Sequence, residues 1–273
     1  MNFKKDKEYV AGRLFSNTLE LDLKESKEHS LTRLELISNL VRGKKVIHAG
    51  CLDHSKKLIE RKLTKNRWLH KLISENAKRC LGVDIDKSGI EFMRDELGYK
   101  DLVAGDMFSK KTADKINTDK WDYLVLGEIL EHTDNPVAFL KKIKILYKDN
   151  VKKMIITVPN AFSINNFLNA LRKKEVINSD HRYWFTPYTI TKILNSAGME
   201  LEELYFCQYF DTSKLGLKHK LAHPLSLLRE KVQSIFLKRN STMKEGLVAI
   251  LNISFEPEER FVESVPRELV QHK

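Results

Sequence analysis

From Lys45 to Asn160 short apolar runs alternate with longer stretches whose apolar residues recur every three or four positions. The runs KVIHAG, CLGVDID, DLVAGD, WDYLVLG and KMIITVPN read as strands buried on both faces. Helical stretches are expected over Lys56–Ala77, Lys87–Leu97 and Pro136–Tyr147. Strand–helix alternation at this spacing predicts an α/β fold with a mostly parallel sheet, helices covering both faces.

The ends of the chain differ. Residues 1 to about 43 read as a polar helical extension, with Leu31, Leu34, Ile37 and Leu40 as its apolar stripe and Gly43 as its stop. The main domain is expected over 44–255, and 256–273 form a C-terminal tail. Within the domain, TPYTITKILNSAGMELEELYF reads as helix, glycine, strand, and GLVAILNISF as a further strand. Between them lies a basic insertion, 211–243, with an amphipathic helix after Pro224. Leu225, Leu228, Val232 and Ile235 line one side of it, and Arg229, Lys231, Lys238 and Arg239 carry charge. Such a stripe packs on its own domain, meets RNA or lies on an anionic membrane surface.

Composition narrows the classes. In 273 residues, 42% are hydrophobic and 31% charged, the balance of a globular domain rather than a disordered chain. No apolar run approaches the ~20 residues that cross a bilayer, and the first residues lack the apolar core of a secretory signal. Cys51, Cys80 and Cys207 are too few and too scattered for a disulfide framework or a cysteine metal site. A reducing cytoplasm is the expected compartment. The net charge of +11 attracts polyanions, or serves solubility alone. Nothing in the pattern sets an oligomeric state.

The most informative stretch is WDYLVLGEILEHTDNP, Trp121 to Pro136. A strand ends at Gly127, and a helix starting at once would put Glu128, Glu131 and His132 on one face. That face would lie beyond the carboxyl end of the strand, where open α/β sheets bind ligands. Together with DHRYWFTP, which supplies Asp180, His181, Phe185, Thr186 and Pro187, this E-x-x-E-H segment resembles the class I S-adenosylmethionine (SAM)-dependent methyltransferases. The resemblance covers roughly Lys45–Phe255. It implies a Rossmann-like, seven-stranded sheet with the last strand antiparallel.

The resemblance also implies a SAM site. The turn after the first strand, Ala49-Gly50-Cys51, would approach the methionine end together with Gly127. Asp84 would accept the ribose hydroxyls, with Ile85 beside it, while Asp106 and Met107 would take the adenine. The family carries an Asp in the first strand and then G-x-G-x-G. Here His48-Ala49-Gly50-Cys51-Leu52-Asp53-His54 keeps only the first glycine, so Leu52 and His54 are expected to narrow the turn. His48 reads as a hydrogen-bonded core histidine. Asp84-Ile85-Asp86 also admits a D-x-D reading, in which carboxylates hold a metal and a nucleotide diphosphate.

Glu128, Glu131, His132 and His181 form a candidate site for Mg²⁺ or another divalent cation, similar to ubiquinone-pathway O-methyltransferases and small-RNA 2′-O-methyltransferases. The metal-free alternative makes His181 a general base, with Asp180 orienting its ring and Glu131 ordering the loop; His132 and Glu128 are further catalytic candidates. Arg182, Tyr183, Trp184, Phe162, Phe167 and Tyr188 are candidates for the acceptor wall or for ordinary core. The implied activity is O-methyl transfer to a hydroxyl of a sugar, glycan or small metabolite. The alternatives are RNA 2′-O-methylation and a binding scaffold that has lost the cofactor.

Overall fold

The computed structural model describes residues 6–23, 31–53, 55–209 and 235–253. His54, most of the basic insertion (with Leu225, Leu228, Arg229, Lys231 and Val232) and the C-terminal tail lie outside the described residues. Among the described residues no helix is long and apolar enough to cross a membrane.

Among its described residues the N-terminal extension holds one helical turn, α1 (Lys7–Val10), non-helical chain over 11–23, and α2 (Arg33–Leu40). Thr32 starts α2 through a capping box, its side chain accepting from Glu35 N while the Glu35 carboxylate accepts from Thr32 N. The expected apolar stripe survives: Leu34 and Ile37 are buried against the sheet.

The alternating region follows as β1 (Lys45–Ala49), α3 (Lys56–Thr64), α4 (Leu69–Asn76), β2 (Arg79–Asp84), α5 (Lys87–Asp95), β3 (Leu102–Ala104), α6 (Lys110–Ile116) and β4 (Trp121–Gly127). It continues with α7 (Pro136–Tyr147), β5 (Val151–Pro159), α8 (Ile164–Leu171), α9 (Pro187–Ser196), β6 (Glu200–Cys207) and β7 (Gly246–Asn252). The single helix expected over Lys56–Ala77 is two, broken at Asn66, whose φ of 50° leaves the helical region.

The described residues build a seven-stranded sheet in the order β3-β2-β1-β4-β5-β7-β6. Pairs from β3 to β5 are parallel, and β7 runs antiparallel to both β5 and β6. Alternate residues face opposite layers. Ile47, Leu81, Leu124 and Ile156 pack with Leu140 and Ile143 of α7 and Ile190 and Leu194 of α9. Val46, Val125, Ile155 and Val248 pack with Ile37 of α2 and Ile73 of α4. Strand order reverses between β1 and β4. That reversal opens a crevice at the carboxyl ends of the strands.

Candidate active site

A cavity of about 1000 Å³ fills this crevice, its wall including Gly50–Asp53 after β1, Asp84 at the end of β2 and Gly127–Ile129 after β4. Gly50 is required: its φ is 65°, and a Cβ there would stand 2.8 Å from Ile129 Cδ1. Asp84 ties the two loops together, one carboxylate oxygen accepting from Leu52 N at 3.0 Å and the other from Asp86 N at 3.1 Å. Asp86 has a different task. It caps α5 by accepting from Ser88 N and Gly89 N, and the Ser88 hydroxyl, followed by these amides, lowers its pKa. One oxygen of the second carboxylate is thereby committed to the helix start.

Leu52 lines the cavity, and its side chain packs over the start of α5, in the space that a Cβ on Gly89 would fill. Among the other expected cofactor residues, Gly50, Cys51, Asp84 and Gly127 line the cavity; Ala49, Ile85, Asp106 and Met107 stand off its wall. Ala49 is buried, Ile85 is 77% exposed, and Asp106 accepts from Phe108 N at 2.9 Å.

His48 is a buried core histidine, as its sequence context suggested. Its ring stacks on that of His70 at 5.4 Å between centroids, with the two Nδ1 atoms 3.2 Å apart. The contact is satisfied when one ring carries its proton on Nδ1 and the other on Nε2. Burial, then the neighbouring His70 and Arg33, hold the His48 pKa well down, and burial takes His70 to about 4. Gly82 makes room, since a Cβ there would meet His70 Cε1 at 2.8 Å.

Beyond β4 the chain does not enter an α-helix. Glu128 takes a positive φ of 58°, rare for a residue with a Cβ, and only a 3₁₀ turn, Leu130–His132, follows. Glu128 faces a clamp: Thr157 Oγ1 donates to its Oε1 at 2.8 Å, Arg33 Nη1 stands 3.3 Å from that oxygen, and Tyr209 Oη donates to Oε2 at 2.7 Å. Arg33 also lies over the Tyr209 ring, 5.4 Å from its centre.

Glu131 is 0% exposed, and neither of its carboxylate oxygens has a hydrogen-bond partner. Burial first, and then the nearby Glu128 charge, raise its pKa to about 9. Its oxygen, a ring nitrogen of His132 and one of His181 all lie within 4.8 Å of one another. The imidazoles meet edge to face at 4.6 Å, and His181 Nε2 is 3.9 Å from Glu131 Oε1. Hydrogen bonds to carbonyls of the 3₁₀ turn hold the loop carrying His181: Arg182 N donates to Glu131 O, and the Arg182 side chain, through Nη1, to His132 O.

Three expectations need correction here. Asp180 pairs with His132, not with its chain neighbour His181: the Nδ1–Oδ2 distance is 2.8 Å. That hydrogen bond lowers the Asp180 pKa. Glu128 lies beside Glu131, close enough for its charge to raise the Glu131 pKa, but Thr157, Arg33 and Tyr209 hold its carboxylate. The aromatic candidates Phe162, Phe167, Tyr183, Trp184 and Tyr188, with Arg182, do not line the cavity. Arg33, Asn178 and Tyr209 went unforeseen: Arg33 and Asn178 line the cavity, and Tyr209 holds Glu128.

A buried carboxylate facing two imidazoles suits a divalent cation, which would supply the missing partner to Glu131. One oxygen and two ring nitrogens match a transition ion more closely than Mg²⁺, which prefers an oxygen shell. Without an ion, the same imidazoles are proton acceptors at the cavity wall.

A methyltransferase-domain family model matches residues 32–204. No curated protein matches the chain in sequence. Among solved structures, a SAM-dependent methyltransferase from Archaeoglobus fulgidus is similar at 16% identity, over 80% of this chain and 94% of that one, with a TM-score of 0.44. The small RNA methyltransferase HEN1 is similar at 14% identity, over 86% of this chain but 27% of its own, with a TM-score of 0.50. Magnesium protoporphyrin IX methyltransferase from Synechocystis PCC 6803, solved with bound SAH, is similar at 12% identity, over 80% of this chain and 77% of that one, at 0.44. At these identities the likeness is one of fold.

Proposed function

The chain belongs to the methyltransferase-domain family and is a SAM-dependent methyltransferase, and we propose that it methylates a hydroxyl oxygen of a sugar, a glycan or a small metabolite. The observation that supports this reading is the Glu131–His132–His181 cluster at the cavity. A hydroxyl holds its proton too tightly to act as a nucleophile at neutral pH, so the site must take or weaken that proton. Two imidazoles and a buried carboxylate are suited to that work.

SAM, when bound, supplies an electrophilic methyl group on its sulfonium. Asp84 would accept the ribose hydroxyls, and Gly50, Cys51 and Gly127 would take the methionine end; Ala49, Ile85, Asp106 and Met107, which stand off the cavity wall, would meet the cofactor only where it reaches past that wall. Glu131, His132 and His181 would hold a divalent cation, with Glu128 joining only by leaving its clamp. Such an ion supplies Lewis-acid polarisation of an acceptor oxygen. Asp180 fixes the ring of His132, and Arg182 holds the His181 loop in place. Holding acceptor and methyl donor in one crevice supplies orientation. Three cysteines without a disulfide suit the reducing cytoplasm.

The net charge of +11 favours one second reading, an RNA 2′-hydroxyl as acceptor. The test is methyl transfer from labelled SAM to a panel of glycans, phenolic and sugar metabolites and oligoribonucleotides, with His181→Ala beside the native protein. A product O-methylated by the native chain and not by the variant supports the reading. N- or C-methylated products, or an unaffected variant, overturn it. Transfer to oligoribonucleotide alone, falling steeply with salt, selects RNA.

A further inference from the structure

Helix α8 is amphipathic in the reverse sense. Ile164, Phe167, Leu168 and Leu171 share one side, and Asn165, Asn166 and Asn169 the other. The amide side is turned inward. Asn165 Nδ2 donates to Glu245 Oε1 at 3.2 Å, and Asn166 Nδ2 to the Asn160 and Ala161 carbonyls at 3.3 Å. Consequently none of the helix's residues is buried: Phe167 is 53% exposed and Leu171 67%. Phe162 before the helix and Val176 and Ile177 after it are exposed as well. A contiguous apolar face of this kind marks an interaction surface.

Arg172, Lys173 and Lys174 follow Leu171 at once, all exposed, with Glu175 as the single acid before Val176. From the inverted helix and this cationic rim, we infer that α8 and the loop to Ile177 dock on an anionic lipid bilayer. The cations repel a second copy of the same face and attract anionic headgroups. Three of the five exposed apolar side chains, Leu171, Val176 and Ile177, are aliphatic, as are the half-buried Ile164 and Leu168 beside them, which suits acyl chains rather than base stacking, which needs planar rings. Asn178, Asp180 and His181 on the same loop line the cavity, so a docked bilayer lies near its mouth.

The test is co-sedimentation of the full chain with phosphatidylcholine vesicles, with and without phosphatidylglycerol. Binding should require phosphatidylglycerol and weaken as salt rises. Phe167→Ser with Leu171→Ser should lower partitioning by at least about tenfold. Arg172→Gln, Lys173→Gln and Lys174→Gln should each lower it by roughly fivefold. SAM affinity, unchanged in every variant, shows that they remain folded. Absence of vesicle binding at low salt, or equal binding by the Phe167/Leu171 variant, overturns the inference. So does a dimer that the same variant dissociates, or an oligoribonucleotide complex that it abolishes.

Discussion

Asp180 holds His132, across 48 positions of sequence, through a 2.8 Å contact to Nδ1. A ring that donates its Nδ1 proton to a carboxylate keeps Nε2 as its lone-pair face, the form that binds a cation or takes a proton. Asp180→Asn removes the charge and keeps the shape. The expected result is a loss of roughly 10–100-fold in divalent-ion affinity or in kcat, with SAM affinity unchanged. Titration calorimetry for each ligand checks both halves. If SAM and ion affinity fall together, the loop has moved, and Asp180 is not a positioning residue.

Glu131 gives the protein a pH dependence of predictable sign. Its folded pKa of about 9 lies above the ordinary carboxylate value, here 4.5, because burial and Glu128 oppose its charge. Between those values the folded state binds more protons than the unfolded one, so stability falls as pH rises. The contribution is fully present below about 4.5 and is lost by about 9. Glu131→Gln should therefore raise Tm at pH 8 and do little at pH 5, by about 2–4 °C for each kcal/mol relieved. Thermal melts in chelator, from pH 5 to pH 8, measure it. Equal shifts at both pH values would show that the group does not titrate in this window.

Asp84 organises the cofactor side of the cavity, bridging Leu52 N and Asp86 N from the end of β2. Asp84→Ala is expected to weaken SAM binding by roughly tenfold to a hundredfold, the scale of hydrogen bonds to a charged group. Leu52→Gly is expected to leave SAM affinity unimproved, since the leucine packs over Gly89 on the cavity wall. A calorimetric gain on removing Leu52 would mean that the turn is obstructed after all.

The sheet was legible because each strand is an apolar run bounded by glycine or a polar cap, and because the helices between them carry a clear period. Pro136 with Asn135, and Pro187 with Thr186, mark helix starts that the structure keeps. The cluster was legible as a set of residues but not as a geometry. Helical spacing groups Glu128 with Glu131 and His132, whereas a positive φ at Glu128 turns it toward Thr157, Arg33 and Tyr209. Two of those partners lie 81 and 95 positions away from Glu128 along the chain, and the β5–β7–β6 pairing that brings Tyr209 close is long-range. No local pattern announces such contacts. The pairing of Asp180 with His132 in place of His181 has the same origin, since it depends on how one loop folds onto another.

Chelation decides between the two chemistries that the cluster supports. If Glu131, His132 and His181 hold a divalent cation, EDTA should abolish activity and a transition ion should restore it better than Mg²⁺, given two nitrogen donors to one oxygen. The loss should also be non-additive: EDTA should add little to the loss already caused by Glu131→Ala or His181→Ala, because each removes the same unit. Under metal-free base catalysis EDTA has no effect, His181→Ala alone is severe, and activity follows the titration of an imidazole. The readout is methyl transfer with and without chelator in the native protein and both variants. Full activity of the native protein in EDTA would refute the metal site and leave the imidazole as the base.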